Sequence, residues 1–516
     1  MRAVRARARR LVDGATRPAV AALSLALAVG LWQVVTVVTG VPTLLLPSPV
    51  EMIAALRGHR VAVVRHVAYT GFEIGLGWLA GVGVGVLAAG AMAASRRLRL
   101  AVYPLLLSIR IVPLIAIAPL LIVVFGATLR TRVLMAAILT FFPVTVATLE
   151  GLLSVPTSQL DLMRSVEAST WKRIRYVRLP NALPSVFAGV KIATPLAVEG
   201  VLIAEFLASS RGLGHAVLQA AASLETALLF GEVALMVGLG LALFGLVAVY
   251  ERAVRWGDDS SAVGGFEAGG VSAPRSERLV LGSVALVIVG GVWGVGTVTV
   301  PNAAVFLPSP AAVAGSLRET PGLFIGASVA SLHKLAVGWA LGAGIGAAIG
   351  ALVAFVPRAR PVVAPFLVGA RVTPTIVAAP LLLVWLGISF SAAVVLVGLA
   401  TFFPVAVATA SGLGTLPETH RSLLDSVGAP PWARLFVRFR YGLPTIVAGV
   451  KLSFVSGLSG VVIAEWFVAN GGLGVLVNQG MRNLQPALTY AAVCCLFALG
   501  IALFGGTTLV QRRLDW

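Results

Sequence analysis

The side chains that could do chemistry in this chain stand mostly where charge is costly. Glu73, Glu199, Glu205, Lys334 and Glu465 each interrupt a long apolar stretch. An ionisable group in such a place is expensive and marks a path, a relay or a buried pair. Glu73 and Lys334 occupy equivalent places in an internal repeat. They either attract across the two halves or snorkel to the nearest surface, and their nearness to predicted helix starts favours snorkelling. Glu199 lies deeper, with Ser459 as its counterpart, and either lines a passage or bonds a neighbouring helix. Glu205 and Glu465 fall near the outer end of a stretch, which suits structure or contact with an external partner. Arg110 and Arg371 open the stretches "RIVPLIAIAPLLIVVFG" and "RVTPTIVAAPLLLVWLG". The prolines there, Pro113, Pro119, Pro374 and Pro380, free backbone carbonyls that can line a cavity, or they kink a lipid-packed helix. The two arginines suit an anionic solute or act as interfacial anchors.

Catalysis needs a clustered acid and base, nucleophile or metal set, and the sequence offers none. Cys494 and Cys495 are adjacent in an apolar run with no histidine nearby, so neither a disulfide framework nor a metal site is expected. The five histidines are scattered. The four lysines are Lys172, Lys191, Lys334 and Lys451, and none follows a glycine. A phosphate-binding loop of the form G-x-x-x-x-G-K-[ST] is therefore not expected.

The elements that hold these residues must be membrane helices. Of 516 residues, 58% are hydrophobic and 11% charged, against about 25% charged in soluble domains. The net charge of +19 does not point to nucleic acid, because the arginines sit between apolar stretches, as they do at cytoplasmic membrane edges. Spans are expected at 18–39, 69–94, 101–126, 133–153, 185–207 and 228–250, then at 279–300, 326–355, 362–387, 391–413, 445–468 and 487–510. Gly- and Ala-rich runs such as "GWLAGVGVGVLAAGAMAA" predict close helix packing. Residues 1–17 read as a basic cytoplasmic N-terminus leading into an uncleaved first helix. Residues 251–278 read as a flexible cytoplasmic linker. Arginine placement puts both termini in the cytoplasm. The expected fold is all-α, about 12 transmembrane helices in two parallel six-helix repeats, one at 18–250 and one at 279–516.

The repeat is explicit. "LPSP" at 46–49 returns at 307–310, and "TFFPVTVAT" from 140 returns as "TFFPVAVAT" from 401. The offset is 261 up to the loop after the fourth span and 260 beyond it, where "AGVK" at 188 matches 448, "IAE" at 203 matches 463 and "GLG" at 212 matches 472. Such self-similarity indicates duplication and fusion.

That loop carries "EASTWKRIRYVRLPNALP" in the first copy and "GAPPWARLFVRFRYGLP" in the second. It is longer than a connection needs, and it interleaves a tryptophan and apolar residues with bases. Short helices at the membrane face are expected, with Pro180 and Pro184 breaking a helix near its end. Here the sequence resembles the permease subunits of ATP-binding-cassette importers, of the nitrate, sulfonate and taurine type, over nearly the whole chain. Their signature loop has an E-A-A element, a glycine and a closing hydrophobic-x-Leu-Pro. Asp161-Leu162-Met163 stands at the first place, Glu167 at the glycine, and Val177-Arg178-Leu179-Pro180 closes the motif. In the second copy Ser422-Leu423-Leu424 stands at the E-A-A place and Gly428 is present. One residue is missing before Val437-Arg438, Phe439-Arg440 replaces the first Leu-Pro, and Leu443-Pro444 remains.

The resemblance implies a type I importer permease fold in the cytoplasmic membrane of a bacterium or archaeon. It implies coupling helices that seat in two copies of a separate ATPase subunit, an extracytoplasmic binding protein that delivers the solute, and ATP used by the partners only. Asp161, Glu167, Ala168, Ser169, Trp171, Leu179 and Pro180, with Gly428, Ala429, Trp432, Leu443 and Pro444, become the coupling residues. Arg110, Pro113, Pro119, Glu199, Arg371, Pro374 and Pro380 become pathway candidates. The substituted glycine and the degenerate second loop imply unequal contact with the ATPase. The rival reading is a 12-helix secondary transporter driven by an ion gradient. A membrane-embedded enzyme is a weaker one.

Overall fold

Each copy of "LPSP" starts a helix. In the computed structural model, which describes residues 23–111, 114–254 and 307–514 apart from 357 and 415, together with parts of 287–299, Ser48 caps α2 (Pro49–Gly58). Its hydroxyl accepts from the Glu51 N–H at 3.3 Å, while Glu51 accepts from the Ser48 N–H at 2.7 Å. Proline takes the first helical position, where its missing donor costs nothing. Ser309 repeats the cap, accepting from the Ala312 N–H at 3.1 Å, at the start of the equivalent helix Pro310–Glu319.

Among the described residues the chain is helix and turn, with no strand. The first half runs α1 (Leu23–Thr39), α2, α3 (Arg60–Ala94), α4 (Arg96–Ile111), α5 (Ala118–Phe125), α6 (Leu129–Leu153), α7 (Thr157–Ser165), α8 (Trp171–Ala208), α9 (Leu213–Ala222) and α10 (Thr226–Val254). The second half repeats it from α2 onward as α11 (Pro310–Glu319), α12 (Pro321–Phe355), α13 (Arg360–Val372), α14 (Ala378–Leu386), α15 (Phe390–Gly414), α16 (Glu418–Ser426), α17 (Pro431–Phe467), α18 (Leu473–Arg482) and α19 (Pro486–Leu514). Eight of the described helices are long and apolar enough to cross a membrane, and the pair α13–α14 adds a ninth. α1 and the pair α4–α5 occupy the first and third expected spans. The expected N-terminal segment 1–17, most of the linker 251–278 and most of the span at 279–300 lie outside the described residues.

The proline-bearing third span is broken rather than gently kinked. α13 and α14 meet at an angle of 87°, across Thr373 and Pro374 and a tight turn over Thr375–Val377. Pro374 cannot donate the bond that would continue α13. In the first half α4 ends at Ile111, a tight turn covers Leu114–Ile117, and α5 follows.

The repeated TFFPV stretch forms the middle of α6 and α15, the helices each half packs around. Thr140 and Thr401 are fully buried there and return their hydroxyls to their own helices, on Ala136 O at 2.7 Å and Val397 O at 2.9 Å. α3 and α12 approach them along glycine ridges. A Cβ at Gly81 would lie 2.6 Å from the Ala137 carbonyl, and one at Gly338 would lie 2.6 Å from Val397 Cβ. Only glycine permits that separation.

The halves join at the end opposite the loops. Phe206 of α8 meets Phe467 at the end of α17 edge-on, with ring centroids 5.6 Å apart. Trp385 of α14 donates to Leu45 O at 2.6 Å and lies 5.8 Å from the Phe230 ring. One apolar core draws buried residues from both halves at this end. Toward the loops the first half has separate clusters of its own, around Met92 and Tyr103 and around Val144 and Phe187.

Candidate functional site

The repeated loops fold alike down to one unusual torsion. α7 and α16 each end in a six-to-one hydrogen bond, Ala168 N–H to Met163 O and Ala429 N–H to Leu424 O, both at 2.9 Å. That closure needs a left-handed residue just before it. The second copy supplies Gly428 at φ 60°, and the first holds Glu167 at φ 51°. The loop turns identically although its glycine has been replaced.

After this turn the expectation of a proline break fails. Helix continues from Thr170 into the fifth span and passes through Pro180, Pro184 and Pro195. The reason lies in residues 174–178, which form one π turn, whereas α17 is regular α-helix across the same region. A π turn absorbs one inserted residue. It falls where the repeat offset drops from 261 to 260, so the extra residue of the first copy is stored in the helix. Pro180 sits in the first turn after it, where the ordinary hydrogen-bond ladder has already been interrupted.

What the loops expose is apolar. Trp171 is 66% exposed and Trp432 72%, far from the usual place of tryptophan. Leu162 and Val166 are also exposed, as are their counterparts Leu423 and Val427. The loops thus present the same leucine, valine and tryptophan, backed by Arg173, Arg175 and Arg178 in one copy and Arg434, Arg438 and Arg440 in the other. Asp161 pairs with Arg164 at 2.9 Å, and Ser169 Oγ accepts from the Lys172 N–H at 3.4 Å at the helix start. Leu179, Pro180 and Pro444 are exposed, and Leu443 is half-buried. Each loop is also fastened by a pair that the sequence did not single out. Asn181 donates to Gln159 at 3.1 Å, and their counterparts Tyr441 and His420 bring their rings to 5.4 Å. One clasp is polar and the other aromatic.

At the opposite end a buried carboxylate organises each half. Glu205 accepts from the Gly214 N–H at 2.6 Å and from the Thr70 hydroxyl at 2.7 Å, and Thr70 accepts from the Leu213 N–H at 2.8 Å. Glu465 repeats this with Gly474 at 2.7 Å and Ser331 at 2.7 Å, and Ser331 accepts from Leu473 at 2.9 Å. In both, the orphan N–H groups of a short helix's first turn are satisfied from within the core. Gly212 and Gly472 let the chain pass over the carboxylate at φ 92° and 115°, where a Cβ would collide with it. The structural reading of Glu205 and Glu465 holds. Thr70 and Ser331 were missed, although both are hydroxyl residues at one repeat position.

Glu73 and Lys334 neither snorkel nor attract each other. They are only 3% and 4% exposed, because each has a partner inside its own half. Arg132 donates to Glu73 at 2.7 Å. Lys334 Nζ reaches Glu465 at 3.0 Å and the Gly471 carbonyl at 2.6 Å. Glu73 also neighbours Glu205, and its second oxygen finds no hydrogen-bond partner among the described residues. Facing carboxyl groups repel unless a proton is shared between them. The second half avoids the problem, with Lys334 for Glu73 and Ala393 for Arg132.

The pathway candidates are placed less closely together. Arg110 is in the last turn of α4, and Pro113 lies outside the described residues. Pro119, Pro374 and Pro380 are buried, and Arg371 is exposed beside the 87° bend. Glu199 is half-buried on α8.

Comparison with known proteins agrees with this duplicated architecture. The family described as binding-protein-dependent transport system inner membrane component matches twice, over residues 81–258 and 340–516. A probable ABC transporter permease protein of Haemophilus influenzae is 33% identical over 214 residues, 42% of this chain and 87% of that protein. The formylaminopyrimidine transport permease of Halalkalibacterium halodurans is 34% identical over 188 residues, 36% of this chain and 74% of its own. The taurine transport system permease of Escherichia coli is 29% identical over 241 residues, 45% and 88% of the two. Each match takes most of the relative and less than half of this chain, as expected when one half here corresponds to a whole relative. With its domain present in two copies and two matching sets of membrane helices and loops, the chain belongs to the family of binding-protein-dependent transport system inner membrane components.

Proposed function

We propose that this chain supplies both membrane halves of an ATP-binding-cassette importer for a small solute. α7 and α16, with the turns at Glu167 and Gly428, are the coupling helices, and they face the cytoplasm together with both chain termini. Each seats in one of two ATPase subunits, and ATP is used there. Nucleotide-driven closure of the ATPases draws the two loops together, and the joint at Phe206 and Phe467 opens toward the external binding protein. The observation that carries this reading is the repeated display of leucine, valine and tryptophan on two loops of identical turn geometry. An exposed apolar patch on an otherwise basic surface is a partner site. The loops differ at their clasps and at the π turn, which supports unequal engagement. The relatives' named solutes, taurine and formylaminopyrimidine, support a cargo of the nitrate, sulfonate, taurine or vitamin-precursor class.

The test is purification of the tagged chain from its native membranes in mild detergent, with partners identified by mass spectrometry. A P-loop ATPase is expected, together with a binding protein, and its recovery should be lost when Trp171 and Trp432 are both replaced by alanine. Purification without any ATPase, with uptake that follows an ion gradient, would overturn the proposal in favour of a secondary transporter.

A further inference from the structure

Glu199 of α8 and Glu232 of α10 are the span acids that the buried networks among the described residues do not use, and of the two only Glu199 lies on a half-buried face. Among the described residues no hydrogen bond or ion pair reaches it, whereas Glu73, Glu205, Glu251 and Glu465 all have partners. Its surroundings show what it faces. α8 packs on α6 through Gly189 and Gly200, and this side is buried. Another side stays partly open along Ile192, Leu196 and Glu199, spaced four and three apart on one helix face. The second half leaves the equivalent stripe open on α17, at Leu452, Ser456 and Ser459.

These stripes face the other half rather than lipid. Phe206, which meets Phe467 across the joint, follows Glu199 by seven residues, and residues seven apart share a face to within about 20°. Ser456 precedes Phe467 by eleven residues, three turns, and shares its face in the same way. The aromatic joint therefore closes the passage about 10 Å beyond Glu199, and the stripes continue from there toward the loops. Toward the loops the described clusters join no side chains of the two halves. On the importer reading, Glu199 stands near the closed end of the cleft between the halves. Ser456 and Ser459 turn their hydroxyls to carbonyls of their own helix at 3.3 and 3.5 Å, so the acid is one-sided.

We propose that Glu199 recognises the cargo, and that the cargo presents an amine or another cationic nitrogen to it. A carboxylate on an otherwise apolar face attracts cations and gains most from a charged N–H donor. Because Ser459 replaces it in the other half, the cargo is held in one orientation, with its nitrogen toward α8. This rests on the reading of the chain as an importer's transmembrane passage.

The experiment uses charged thiol reagents as probes and works with any cargo. The full chain carries Cys494→Ser and Cys495→Ser in inside-out membrane vesicles. Single cysteines are added in separate variants as Leu196→Cys, one turn below Glu199, or Ser456→Cys, its near-isosteric counterpart across the cleft. Each is reacted with trimethylammonioethyl and with sulfonatoethyl methanethiosulfonate, and the ratio of the two rates is compared with and without Glu199→Gln. The cation-to-anion ratio is expected to fall about fivefold or more at one or both cysteines when Glu199 is neutralised. An unchanged ratio at labelled cysteines would overturn the cargo proposal and leave the passage standing. Absence of labelling at both, while Ser165→Cys on the loop reacts, would overturn the passage itself and the proposal with it.

Discussion

Lys334 Nζ lies 3.0 Å from Glu465 Oε1, inside a helix pair where both side chains are almost wholly buried. The first half builds the same turn with a carboxylate at the lysine's place and draws its cation, Arg132, from α6. Removing one member of a buried pair strands the other. Lys334→Met is therefore expected to destabilise the second half by roughly 3–5 kcal/mol, read as a lowered unfolding temperature in detergent. Glu73→Lys alone should also destabilise, by setting a lysine against Arg132. Adding Arg132→Ala, which reproduces the second half, should recover most of the loss. Simple additivity in that double-mutant cycle would refute the shared network.

Glu167 pays for a left-handed backbone that Gly428 adopts freely. The left-handed region costs a residue with a Cβ about 1–2 kcal/mol. Glu167→Gly should thus stabilise the first loop by about 1 kcal/mol, and Gly428→Glu should weaken the second by a similar amount. Limited proteolysis within 157–184 and 417–444 reads each loop separately. If Glu167→Gly stabilises the fold but lowers transport, the glutamate has been kept for the partner.

Trp171→Ala and Trp432→Ala change side chains that are mostly in solvent, so each should alter the unfolding temperature little. Together they should abolish uptake and ATPase association while the chain stays in the membrane at normal amounts. Measured singly, the two define how unequal the loops are. Unchanged uptake in the double mutant would sink the docking role.

The cap of α2 sets a pH dependence. The Ser48 backbone N–H holds the Glu51 carboxyl below its ordinary value of 4.5, with help from the Ser48 hydroxyl. A depressed folded-state value stabilises above the ordinary one, and the gain is lost as pH falls through the depressed value. After correction for intrinsic rates, hydrogen exchange over residues 48–58 should show extra protection of wild type over Glu51→Gln at about pH 7. That difference should vanish by about pH 3. It should be small at any pH, because the group is exposed.

Trp339 donates to Ser453 at 2.8 Å, while the Trp78 indole N–H finds no acceptor among the described residues. Ala193 stands where the second half has Ser453. Ser453→Ala should cost about 1–3 kcal/mol by leaving a second buried donor unsatisfied, and Ala193→Ser should stabilise the first half. Both are measurable as unfolding temperatures.

Composition, apolar run length and the 261-residue offset determined the membrane class, the helical fold, the duplication and the two loops as its distinctive parts. These properties are local or periodic, and the cost of exposing polar backbone to lipid leaves few alternatives to a helix. The single-residue change of offset was legible as well, but not its outcome. Whether an extra residue loops out or is wound into a π turn depends on keeping Trp171 and the fifth span on their proper faces. The prolines misled for a related reason. A proline forbids one hydrogen bond, and whether that ends a helix or only bends it depends on what surrounds the freed carbonyl. Partners were the other thing that only tertiary structure decided. Glu73, Glu205 and Glu199 are each a glutamate in a greasy run, and no local property separates them. One meets an arginine 59 residues away, one caps a turn through a hydroxyl 135 residues away, and the third, half-buried on α8, meets no hydrogen-bond or ion-pair partner among the described residues.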